Sequence, residues 1–105
     1  MSKYNNKPVT DDGYTFDSMA EHSRYCELKV LRDADVISKL EVHPRFKLAV
    51  NNAVICFYEA DFQYFDHDEQ CMIVEDVKGV RTSVYLLKKK LMKAIHNISI
   101  VEITA

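Results

Sequence analysis

"ADFQYFDHDEQCMIVEDVKG", residues 60–79, is the stretch that decides the fold. Its middle, Asp66-His67-Asp68-Glu69-Gln70, is polar and turn-like, and strand-forming residues flank it on both sides. That pattern predicts an antiparallel hairpin. Side chains alternate along a strand, so Met72, Val74, Asp76 and Lys78 share one face and Glu75 takes the other. An acid and a lysine that continue an apolar face are unusual for a solvated strand end. A turn centred between Asp68 and Glu69 sets Asp61 opposite Asp76 as a cross-strand neighbour. A register shifted by one residue would put Glu75 in the place of Asp76.

Two carboxylates about 4 Å apart repel by roughly 4 kcal/mol at an effective dielectric near 20, so a positive charge must settle them. Lys78 is one candidate and a divalent cation is the stronger one. Oxygen ligands without Cys or His point to Mg²⁺ or Mn²⁺ rather than zinc. Asp61, Asp76 and the backbone carbonyl of Val77 are the candidate metal ligands. A metal there could activate water or bind a phosphodiester oxygen. Lys78 would stabilise charge on the attacked phosphate or orient the water.

Upstream, residues 1–11 are expected to be a flexible N-terminal tail, with residues 12–105 forming one domain. Asp12-Gly13 signals a tight turn, closing a short hairpin before the first helix. That helix runs through "FDSMAEHSRYCELKVLRDADV", with Asp17 or Ser18 as N-cap; Ser18 and Glu21 have capping-box spacing. Glu21 also heads the stripe that continues through Tyr25, Leu28 and Leu31/Arg32. It is therefore either a capping acid or a functional one. "KLEVHPRFKL" and "AVICFYEADFQYF" read as two strands, the second apolar on both faces like a central strand. Pro44 marks an edge or a bulge.

Downstream, Thr82 caps a second helix, "TSVYLLKKKLMKAIH", whose expected apolar stripe is Val84, Leu87, Leu91, Ala94 and Ile95. "ISIVEI" closes the domain as a strand, and a helix between two strands suggests a crossover. The order is α-β-β-β-α-β: an α/β (α+β) domain with a mixed central sheet flanked by helices.

The chain has 105 residues, 48% of them apolar and 29% charged, with net charge −2. That is an ordinary globular composition, without the basic footprint of a protein that binds nucleic acid by bulk charge. Apolar runs are too short for a membrane helix, and no secretory signal begins the chain, so a cytoplasmic location is expected. Cys26, Cys56 and Cys71 lack disulfide or zinc-knuckle spacing and read as small buried residues. "DHDE" is read as a solvated turn. His22, His43 and His96 lack the mutual spacing of a ligand set. No phosphate-binding loop or dinucleotide fingerprint is present, so no nucleotide cofactor is expected.

Asp61, followed fifteen positions on by Asp76-Val77-Lys78, resembles the PD-(D/E)xK nuclease motif, and the element order resembles the core of that restriction-endonuclease-like superfamily. "DGYTFDSMAEHSRY", "EVHPRFKL", "ADFQYF" and "VEDVKGVRTSVYLLKKKLM" are similar to small phage and prophage proteins of this type. Ala60 stands where the motif's name has proline. The resemblance implies Mg²⁺- or Mn²⁺-dependent hydrolysis of DNA in phage replication or recombination, in the host cytoplasm. Branched DNA such as a Holliday junction is one expected substrate, and a homodimer would cut both strands. It assigns Asp61, Asp76 and Glu21 to the metal and Lys78 to catalysis. Arg81, Thr82, Tyr85, Lys88 and Lys89 are expected on the DNA side, unless the lysines simply form a solvated helix face. The rival expectation is a non-catalytic module on the same fold, binding nucleic acid or a host protein.

Overall fold

The computed structural model describes residues 7–104; of the tail expected over residues 1–11, residues 1–6 lie outside the described residues. In chain order the elements are β1 (Val9–Asp11), β2 (Tyr14–Phe16), α1 (Met19–Asp33), β3 (Ile37–Val42), β4 (Arg45–Val50), β5 (Ala53–Glu59), β6 (Phe62–Asp66), β7 (Cys71–Lys78), α2 (Ser83–His96) and β8 (Val101–Thr104). A four-stranded mixed sheet in the order β3-β6-β7-β8 is flanked by the helices, and β1-β2 and β4-β5 form separate two-stranded ribbons. The chain is thus a mixed α+β domain. Its N-terminal hairpin includes Val9–Asp11, which the sequence reading had left in the tail. The reason lies in the turn: Asp12 and Gly13 both have positive φ (52° and 81°), which suits a tight hairpin.

The β6–β7 register is the one expected from the turn, with Phe62 opposite Glu75 and Asp66 opposite Cys71. Asp66 Oδ1 accepts from the N–H groups of Asp68 and Glu69, so "DHDE" caps its own turn. β8 runs parallel to β7, pairing Asp76 with Glu102, and α2 provides the crossover.

The two upstream strands are each broken. "KLEVHPRFKL" divides at His43-Pro44, where His43 has φ 56° and proline offers no N–H. "AVICFYEADFQYF" divides opposite, at Ala60-Asp61. Two backbone bonds carry the ladder across the break, His43 N–H to Asp61 O (2.9 Å) and Ala60 N–H to Pro44 O (3.0 Å). The inner halves, β3 and β6, join the sheet; the outer halves, β4 and β5, pair only with each other. So β5 is not a central strand: Val54, Ile55 and Phe57 are exposed.

Each face of the sheet packs against one helix. Phe16, Tyr25, Leu28, Ile37, Phe62 and Tyr64 form the core under α1, with Ile73 and Val77 against it. Leu48, Tyr58, Ala60, Val74, Tyr85, Met92 and Ile100 form the core under α2. Full burial of a side chain such as Phe62 or Met92 contributes about 1.5–3 kcal/mol. α1 starts at Ser18, whose Oγ accepts from Glu21 N–H, and buries Glu21, Tyr25 and Leu28 as the stripe requires.

α2 starts at Thr82 as expected, but it is rolled away from the expected stripe. Tyr85 and Met92 are buried, while Val84, Leu87 and Ala94 are exposed. Leu91 and Ile95 of that stripe still pack against the core, so the face is shifted toward Tyr85 and Met92 rather than replaced. The Tyr85 hydroxyl fixes that shift by donating to Glu102 on β8 (2.8 Å). Cys71 is exposed, and Cys26 and Cys56 are half-buried rather than buried. Among the described residues no helix is long and apolar enough to cross a membrane.

Candidate functional site

The paired breaks open a cleft beside β7. Its volume is about 410 Å³, and it is lined by Thr15, Asp17, His43, Glu59, Ala60, Asp61, Asp76 and Lys78. Four segments deliver the charged groups in and beside it. The first turn of α1 carries Glu21. The β3–β4 break supplies His43, and the β5–β6 break supplies Asp61. The end of β7 adds Asp76 and Lys78.

Asp61 is the most constrained of these. Its backbone N–H donates to Glu75 O (3.1 Å), continuing the β6–β7 pairing by one residue. Its Oδ2 accepts from Val77 N–H (2.6 Å). Burial first, then a hydrogen bond with Glu21 and the charge of Asp76, raise its pKa to about 9; the Val77 N–H opposes the rise. Glu21 also meets His43, with Oε1 3.0 Å from Nε2. It is 4% exposed, so its carboxylate is committed to the cleft while its backbone serves the cap.

Asp76 belongs to a second group in the same cleft. Its Oδ1 lies 3.1 Å from Lys78 Nζ, and its Oδ2 accepts from the Tyr58 hydroxyl. Burial, followed by that bond to Asp76, pushes the Tyr58 phenol above its ordinary value. Lys78 Nζ sits 4.0 Å from the centroid of the Tyr85 ring, which holds the ammonium at the cleft wall.

A divalent cation fits the first group. Ligand atoms of Glu21, His43 and Asp61 all lie within 4.8 Å of one another. Ligands about 2.1 Å from a common ion in octahedral geometry lie about 3.0 Å apart when adjacent and about 4.2 Å when opposite. The Glu21–His43 separation of 3.0 Å matches the adjacent case. The structure therefore brings Glu21 and Asp61 together, with Asp76 and Lys78 alongside. Val77, whose carbonyl is the expected ligand, donates its N–H to Asp61. Sequence spacing passed over His43, because its partners come from other elements. The available signal was its position immediately before Pro44 on the polar face of its strand.

Glu75 is not an alternative to Asp76. It faces α1, 1% exposed, where Arg24 holds it with two bonds and the Tyr64 hydroxyl donates to it. Of the residues expected on the DNA side, Thr82 caps α2 and Tyr85 is buried beneath Lys78. Thr82 remains exposed, whereas the Tyr85 ring is covered. Arg81 Nε and Lys89 Nζ both approach Glu102 Oε2 (3.3 and 2.8 Å). Lys88 is half-buried. A second cleft of about 350 Å³ is lined by Arg81, Leu86, Lys89, Lys90, Lys93, Ser99 and Ile100. Among the described residues Lys90 and Lys93 form no ion pair, so this wall carries uncompensated positive charge.

The raised pKa of Asp61 has a measurable consequence. The folded chain holds a proton there that the unfolded chain releases above the ordinary value of 3.8. The resulting stability is fully present below 3.8 and is lost as pH rises through about 9. In EDTA, the melting temperature is expected to fall across that window, and the fall to flatten in Asp61→Asn. Mn²⁺ should restore stability at the alkaline end, since a bound cation replaces the proton. A melting temperature independent of both pH and Mn²⁺ would contradict this description of Asp61.

Residues 1–101 match the family model described as "Protein of unknown function (DUF1064)". No curated protein and no solved structure matches the chain.

Proposed function

This chain belongs to the DUF1064 family, and we propose that it is a divalent-metal-dependent DNA endonuclease with a restriction-endonuclease-like core. The observation that carries the reading is the meeting, in one cleft, of a cation-sized donor group (Glu21, His43, Asp61) with an acid–lysine pair (Asp76, Lys78). A bound divalent cation would supply Lewis-acid stabilisation of the phosphate and a more acidic water. The remaining work falls to the chain itself. Glu21, His43 and Asp61 would hold the cation. The Tyr58 hydroxyl donates to Asp76 and holds its carboxylate in orientation. Lys78, braced on the Tyr85 ring, meets the negative charge that develops on the attacked phosphodiester.

His43 sharpens the choice of metal. An imidazole beside carboxylates suits Mn²⁺ better than Mg²⁺. Mn²⁺ is therefore expected to support faster cleavage, and His43→Ala to narrow the difference between the two ions. A cytoplasmic homodimer acting on branched DNA during recombination, in the host if phage-encoded, completes the reading.

The basic wall of α2 supports a path for the DNA backbone. Lys90→Ala and Lys93→Ala should each weaken binding across all sequences. Each should also lower the slope of log affinity against log salt by about 0.9, one phosphate's worth. Unchanged salt slopes in a filter-binding or anisotropy titration would remove this surface from the DNA path.

The test of function is nicking of supercoiled and four-way-branched DNA in Mn²⁺, in Mg²⁺ and in EDTA, with wild type beside Asp76→Ala. Metal-dependent nicking by wild type alone is expected. No activity in either would favour the non-catalytic module, and equal activity in both would remove Asp76 from the active site.

A further inference from the structure

We propose that Asp11, His22 and Cys26 form a second metal site, selective for Zn²⁺, that clamps the β1–β2 hairpin onto α1. The group lies outside the cleft described above. His22 and Cys26 are four apart on α1 and so share one helix face; Asp11 ends β1. Their ligand atoms all lie within 4.8 Å of one another. His22 Nε2 is 2.9 Å from Asp11 Oδ2 and 3.6 Å from Cys26 Sγ.

These distances can be compared with those a bound zinc would impose. One ring nitrogen facing both a carboxylate and a sulfur can direct a single N–H to only one of them. An Asp–His hydrogen bond accounts for the first contact, and helical spacing brings the sulfur to the same nitrogen. A tetrahedral zinc, with bonds of about 2.0–2.1 Å to nitrogen and 2.3 Å to sulfur, places those two ligands about 3.5 Å apart. The observed nitrogen–sulfur separation of 3.6 Å is that edge. The nitrogen–oxygen edge would be about 3.4 Å, so the Asp11–His22 contact must open by about half an ångström. Asp11 Oδ2 also has Lys29 Nζ at 3.7 Å, but Lys29 is held more closely by Asp12 at 2.9 Å. A thiolate, an imidazole and a carboxylate together favour Zn²⁺ over Mg²⁺.

The location gives the site a purpose. Thr15 on β2 lines the cleft, and Glu21, next to His22, groups with the cleft residues His43 and Asp61. Fixing β1 to the first turns of α1 holds that wall in place. The proposal concerns only this clamp and stands independently of what the cleft does.

The test is a cobalt titration of the full chain carrying Cys56→Ser and Cys71→Ser, with Mg²⁺ in excess. Cys26 is then the only thiol, so a thiolate-to-cobalt charge-transfer band identifies it as a ligand. One equivalent of Co²⁺ is expected to produce the band and the visible bands of a tetrahedral ion. Zn²⁺ should bleach them and raise the melting temperature. Cys26→Ser should abolish the charge-transfer band, and His22→Ala should weaken binding by at least about tenfold. The proposal is overturned if no thiolate band appears at millimolar Co²⁺, or if the band is unchanged in His22→Ala.

Discussion

Replacing Lys78 with alanine is expected to slow single-turnover DNA cleavage by about 10²–10³-fold, the usual cost of removing one preorganised group that meets transition-state charge. Lys78 is positioned for that work and little else. Its ammonium is 3.1 Å from Asp76 and rests on the Tyr85 ring, with the side chain partly open to the cleft. Removing it leaves Glu21, His43 and Asp61 untouched, so Mn²⁺ affinity measured by calorimetry should change little. Lys78→Arg should rescue poorly, because a planar guanidinium cannot replace a compact ammonium in that slot. A loss of turnover without a loss of metal separates the lysine's chemistry from the site's assembly. Undiminished cleavage by Lys78→Ala would remove it from the mechanism.

Arg24→Ala carries the largest expected effect on stability, a loss of about 3–5 kcal/mol, as for breaking one half of a buried pair. Arg24 Nε and an η-nitrogen bond the two Glu75 oxygens at 2.8 and 2.6 Å, and Glu75 is 1% exposed. Without the guanidinium, a carboxylate remains beneath α1 with only the Tyr64 hydroxyl to meet it. Urea unfolding should show the loss at an unchanged m-value. The double variant Arg24→Met/Glu75→Leu should recover most of it, since a well-packed apolar pair of similar volume commonly equals a buried ion pair. A loss below about 1 kcal/mol would mean that the pair is solvated rather than buried.

These two residues show where the sequence was legible. The split between Asp76 with Lys78 and Glu75 follows from strand alternation alone, because a one-residue slip would reverse every side chain of β7. The polar turn fixed the register that aligns Asp61 with Asp76. Ser18 and Thr82 were readable as caps because their hydroxyls answer a local need of the backbone. Glu21 stood out as an acid heading a buried stripe.

What stayed hidden depends on contacts between distant segments. The breaks at His43-Pro44 and Ala60-Asp61 face each other across a ribbon, and only Pro44 announces one of them. His43 joins the site only because that break turns it toward α1. The roll of α2 was misjudged because Val84 and Leu87 look like core residues, whereas Tyr85 is held down by Glu102, seventeen positions away. Arg24, read as nothing in particular, is the partner of an acid 51 positions away.

The central claim is that Glu21, His43 and Asp61 hold a catalytic cation next to Asp76 and Lys78. Crystals soaked in Mn²⁺ test it most directly, through an anomalous difference map. The account predicts a peak bounded by the Glu21 and Asp61 carboxylates and His43 Nε2, absent from Asp61→Asn crystals grown alike. A map with no manganese in this cleft, or with manganese only elsewhere on the molecule, would contradict it.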